Sequence, residues 1–134
     1  MANRLNVRNF QTLEKGPVAL YLRAAIGATG APTINAAQSK GFYAITRTGV
    51  GAYTIKLGLS ASKVDTYLRL MSLQHVIVGA SSTAVGVVVV ADSSAVGAAP
   101  TILVQFVSAP ATPVELGSGE DLRISMVFSN SSGM

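Results

Sequence analysis

The sequence predicts an all-β protein: a single-domain antiparallel β-sandwich or barrel of about seven strands over residues 17–134, preceded by a flexible N-terminal arm, 1–16. Three observations predict it. Apolar and polar residues alternate with a period of two in segment after segment. Gly, Pro and Ser clusters punctuate the chain at short spacing, as turns between short strands do. Helical periodicity is nearly absent.

Taken in order, the polar arm gives way at residues 18–26 to VALYLRAAI. In that strand Val18, Leu20 and Leu22 share one side and Ala19, Tyr21 and Arg23 the other. Residues 27–41, GATGAPTINAAQSKG, form an irregular loop, because Gly27, Gly30 and Pro32 interrupt any ladder. So long a loop in a small domain points to an interaction surface. Residues 42–48 (FYAITRT) and 52–57 (AYTIKL) flank Gly49-Val50-Gly51 and make a hairpin, since glycine supplies the positive φ that tight turns need. Its strands place Tyr43 and Ile45 on one face of the first, and Tyr53, Ile55 and Leu57 on one face of the second. Residues 60–67 (SASKVDTY) suit a single helical turn opened by a serine cap. A long strand is expected over 68–78 (LRLMSLQHVIV), although Val64, Leu68 and Met71 would also suit a short helix. Residues 84–91 (AVGVVVVA) are apolar on both faces, which fits a central strand covered on both sides. Whether 85–90 belong to the core or to a subunit interface is open at this point. Residues 101–108 (TILVQFVS) and 122–129 (LRISMVFS) are two more strands, joined by the Pro- and Gly-punctuated segment APATPVELGSGED.

Composition narrows the function classes. Charged residues make up 12% of the chain, against about 25% in an average soluble domain, while hydrophobic residues reach 49%. So weakly charged a surface is expected to be covered, by copies of the chain or by a partner. Membrane insertion fails on length, because 84–91 is the longest unbroken apolar stretch and a spanning helix needs roughly 20 residues. Residues 1–15, polar and basic, show no secretory core. The net charge of +4 is uneven: the first 63 residues carry eight basic groups against Glu14, whereas from Val64 onward Arg69 and Arg123 face five carboxylates. The basic residues are spread singly along alternating strands and not clustered with aromatics, so no nucleic-acid partner is expected.

Catalytic chemistry is not expected either. His75 is the only histidine, and no motif positions a nucleophile or carboxylate beside it. Glu120 and Asp121 are adjacent, but successive strand residues point to opposite faces, so they read as the polar start of the last strand. The glycine clusters match neither the dinucleotide fingerprint nor the phosphate loop. There is no cysteine, and no metal or cofactor motif occurs. The Asn130-Ser131-Ser132 sequon carries little weight without a secretory signal.

Four segments in order carry a resemblance: LEKGPVALY (13–21), IGATGAPT (26–33), KGFYAITRTGVGAYTIKL (40–57) and GSGEDLRISMVFSNSS (117–132). Together they resemble small virion proteins of tailed bacteriophages, similar to capsid decoration or cement proteins; between residues 64 and 109 the likeness is one of pattern only. The resemblance implies a non-enzymatic structural protein, made in the bacterial cytoplasm. It would sit on the outer surface of the head and clamp neighbouring major capsid subunits, as a homotrimer or alternatively a dimer. In that setting Arg4, Leu5, Arg8, Phe10 and Leu13 of the arm are the expected capsid- or subunit-contacting residues, with Phe10 and Leu13 as apolar anchors. The alternative from a different class is a phage fibre or receptor- or glycan-binding module. The chain lacks the heptads and internal repeats of a fibre, and it has no Trp to line a sugar site.

Overall fold

The computed structural model describes residues 17–79 and 83–129. Strands dominate it: β1 (Val18–Ile26), β2 (Pro32–Ile34), β3 (Phe42–Gly49), β4 (Ala52–Ser60), β5 (Lys63–Val64), β6 (Arg69–Val78), β7 (Gly86–Ser93), β8 (Thr101–Ala109), β9 (Thr112–Pro113) and β10 (Asp121–Ser129). Short 3₁₀ turns at Ala28–Gly30 and Ala36–Gln38 flank β2. The strands build two antiparallel sheets, ordered β2-β1-β10-β6 and β3-β4-β8-β7, with β5 folded back on β4 and β9 on β8. The two sheets pack face to face, so the fold is an all-β sandwich.

Alternation explains the core. On β1, Leu20, Leu22, Ala24 and Ile26 are buried, and across the ladder they meet Met126, Ile124 and Leu122 of β10. The second sheet answers with Tyr53, Ile55 and Leu57 of β4 and Ile102, Val104 and Phe106 of β8. Tyr53 and Phe106 meet edge to face at 5.8 Å between ring centroids. Buried residues of both sheets form one continuous cluster, which is how a sandwich spends its inward positions.

Residues 27–41 are not irregular throughout: Pro32, Thr33 and Ile34 form β2 and pair with Ile26, Ala25 and Ala24 of β1, at a sheet edge where proline is tolerated. Three further sequence expectations are corrected. Residues 60–67 do not make a helical turn: a tight turn at Ala61-Ser62 reverses the chain into β5, whose Val64 pairs with Gly58. A short segment beside an open sheet edge gains more from ladder hydrogen bonds than from one isolated helical turn. On β3 the inward pair is Phe42 and Ile45, not Tyr43 and Ile45. The register shifts between Phe42 and Ala44, and a bulge of this kind moves the later side chains to the other face. The last correction matters most. The valine-rich segment is not a central strand; β7 lies at the edge of its sheet, and Val88 and Val90 are 49% and 58% exposed. An apolar run on both faces is equally compatible with an edge strand.

The two flanks of the sandwich differ. On one, residue 40 bridges the sheets: Lys40 N donates to Tyr21 O at 2.7 Å, and Gly58 N donates to Gly41 O at 2.8 Å. The loop 27–41 therefore seals this flank, with Asn35 N donating to Arg23 O and Arg23 N donating to Ser39 Oγ. On the other flank β6 and β7 are the outermost strands of their sheets.

Candidate interaction surface

The open flank is built from the residues upward by β6 and β7. Along β6, Leu70, Leu73, His75 and Ile77 turn inward, whereas Met71, Val76 and Val78 are exposed. His75 packs its ring edge against Phe106 at 5.6 Å, and its burial pushes the imidazole below its ordinary pKa. Along β7, Val87 packs on the core while Val88, Val89 and Val90 are exposed. Between the two strands lies a groove of about 300 Å³, lined by Leu70, Met71, Leu73, Val87 and Val89, with Asp92 at one end.

Asp92 is the clip that joins the two edges. Its carboxylate accepts from Leu70 N of β6 at 2.7 Å and from Ser94 N at 3.0 Å. Burial alone would raise its pKa, but these hydrogen bonds outweigh it and hold the carboxyl below the usual range. Next to it, Tyr67 N donates to Ser94 O at 3.0 Å, and the Tyr67 ring stacks on Phe128 at 4.9 Å. Beyond this end the edges are not stitched together by any hydrogen bond among the described residues.

Chemically, such a flank can accept a strand. Among the described residues nothing pairs with the outer side of β7, and a free edge exposes unpaired N–H and C=O groups. Proteins usually blunt such edges with lysine, proline or short strands. On β7 a register shift between Val89 and Ala91 and the carboxylate of Asp92 near one end are the devices present, and no lysine or proline occurs within the strand. From residue 70 to residue 91 the sequence contains no Asp, Glu, Lys or Arg.

A second surface lies on the outer face of the β1/β10 sheet. Arg23 and Arg123 stand directly opposite each other, an arrangement that would repel. Asp121 resolves it, accepting from Arg23 Nε at 3.0 Å and from Arg123 Nη2 at 3.0 Å. The Arg23 hydrogen bond, reinforced by Arg123, holds the Asp121 carboxyl below its ordinary range. Arg23 also donates to the Gln38 side chain. The shallow groove here, about 370 Å³, is lined by Tyr21, Arg23, Gln38, Gln74 and Arg123 among others.

The remaining polar constellations are scaffold. Arg47 grips Glu115 through two hydrogen bonds of 2.9 and 2.5 Å, and Gly51 N donates to the same carboxylate at 3.2 Å. Glu115 is thereby held below its usual pKa, chiefly by Arg47. Tyr53 Oη donates to Gly30 O at 2.7 Å, and burial pushes the phenol up to about 12. Glu120 is buried, its carboxylate accepting from Gly117 N at 2.6 Å, so it anchors a turn and is no solvated start to β10. Among the described residues no group of three His, Cys, Asp or Glu side chains converges to hold a metal.

The expected contact residues Arg4, Leu5, Arg8, Phe10 and Leu13 lie outside the described residues, as does the Asn130-Ser131-Ser132 sequon. Met71, Val76 and Asp92 were not singled out by sequence reasoning. The absence of charge from 70 to 91 was the signal available for the first two. Searches against family models, curated proteins and solved structures found no match for this chain.

Proposed function

We propose that this chain is a structural virion protein, a decoration or cement protein that binds the outside of a tailed-phage head and holds neighbouring major capsid subunits together. The observation that carries the reading is a sandwich with one long flank that no other described residue covers and that carries no charge between residues 70 and 91. That is the anatomy of a part made to be covered in an assembly. The phage assignment leans on the four ordered segments. Within the described residues these segments meet in space: Tyr53 bonds Gly30, Gly119 N donates to Ile26 O, and β1 pairs with β10. They are the parts that hold the scaffold of this chain together.

In this reading the protein works without catalysis. Several weak contacts spread over adjacent capsid subunits dissociate slowly as a set, and they resist expansion of the shell. The arm residues Arg4, Leu5, Arg8, Phe10 and Leu13 would add capsid contacts. The test is to mix purified protein with undecorated heads and follow co-sedimentation and the temperature at which heads disrupt. Co-sedimentation with a raised disruption temperature is expected; heads that neither retain the protein nor gain heat resistance would overturn the reading. One observation favours a second reading, a receptor- or glycan-binding module: the Tyr21, Arg23, Gln38, Gln74 and Arg123 groove offers a ring face beside amide and guanidinium donors. Binding on a glycan array, lost in Tyr21→Ala, would favour that alternative.

A further inference from the structure

We infer that the open flank is where two copies of this chain meet, β7 of one lying antiparallel to β7 of the other about a two-fold axis. The inference does not depend on the head-surface reading, because it concerns the free protein and is tested without capsids.

The contrast between the flanks is the first reason. Where β1 and β3 come to the surface, the loop 27–41 hydrogen-bonds to both sheets and Arg47 marks the edge strand. Where β6 and β7 come to the surface, no other described residue covers the outer edge of an eight-residue strand with three exposed consecutive valines. A monomer built this way would present a template for uncontrolled pairing; a closed two-fold contact uses the β7 edge of each copy once.

Charge chooses the occupant. A charged partner finds nothing to pair with between residues 70 and 91. A second copy fits, because the one nearby carboxylate does not meet itself. Counted along the chain, an axis at Val88 sets Asp92 opposite Ala84, just before the other strand, and an axis at Val89 sets it opposite Gly86; the register shift between Val89 and Ala91 moves it by about one residue and in neither case onto the other Asp92. Asp92 is in any case committed to Leu70 and Ser94. The same registers set valine against valine across the axis, a favourable cross-strand pairing of β-branched residues.

Size is of the right order. The eight-residue β7 runs about 26 Å, and two sheets about 10 Å apart with their side chains make a strip about 20 Å wide. That is a flat footprint on the order of 500 Å², somewhat below the roughly 800 Å² per partner of a standard interface. Met71 of β6, which lines the groove between the two edges, extends the apolar strip beside the paired β7 strands.

The experiment is light scattering on the purified full-length chain, with the double variant Val88→Lys/Val90→Lys beside it. The inference expects about twice the 13.7 kDa chain mass for the wild type and the single-chain mass for the variant, with unchanged circular dichroism. A wild-type monomer, a trimer, or a dimer indifferent to the two lysines would each overturn it. Should the double variant fold poorly, hydrogen exchange of the wild type decides. Amides of residues 86–92 should lose protection on dilution, and concentration-independent exchange there would overturn the pairing.

Discussion

Tyr53 shows how much one hydroxyl holds in this protein. Its ring packs against Phe106, and its phenol supplies the hydrogen bond of Gly30 O, tying the 27–41 loop to the hairpin strand. Tyr53→Phe keeps the ring and orphans a buried carbonyl, so a loss of about 1–2 kcal/mol is expected from urea denaturation. His75 makes a second prediction, in pH. Its folded pKa is lowered by burial, so the unfolded chain binds the proton first as pH falls through about 6.5. Stability should therefore be full above that pH, decline below it, and level off once the folded state also protonates. His75→Phe should flatten the urea midpoint between pH 7.5 and 5.5, and a slope that persists would move the cause elsewhere. A separate decline below about pH 4 belongs to Asp92, Glu115 and Asp121, whose folded pKa values are all lowered.

At the scale of elements, the β3–β4 hairpin depends on its turn. Gly51 has φ +64°, and a Cβ placed there would lie 2.3 Å from Val114 O. That is a clash with backbone that no side-chain rotation relieves. Gly51→Ala should cost about 2 kcal/mol or more, read as a lowered Tm, whereas Val50→Ala at the exposed tip should cost little. The hairpin was legible from Gly49-Val50-Gly51 and the alternation on either side. The bulge that turns Ile45 inward was not, because a one-residue register shift leaves no mark on composition.

At the scale of the whole molecule, the two sheets are joined by hydrogen bonds along one flank and by Asp92 and Ser94 at one end of the other. Removing the clip with Asp92→Ala should loosen the open flank first. Faster hydrogen exchange at Leu70 and along β6, with β1 and β4 still protected, is the expected pattern, together with a loss of about 1–3 kcal/mol. Uniform acceleration over both sheets would mean that the flank does not open independently. The same asymmetry underlies the assembly reading, since the unstitched flank is also the uncharged one.

Composition and period alone determined that this chain is all-β, with the strands near residues 18–26, 42–57, 68–78, 101–108 and 122–129. Alternation is a local property, and each strand carries it whole. Low charge likewise pointed to a covered surface. Only the tertiary structure decided where strands sit in their sheets. AVGVVVVA has the same residues whether it lies at the centre or the edge, and the neighbours that decide are contributed by β8 on one side and nothing described on the other. The Asp92 clip, the Arg47–Glu115 grip and the buried Glu120 join residues to partners that alternation cannot identify, and so they were invisible until the chain was folded.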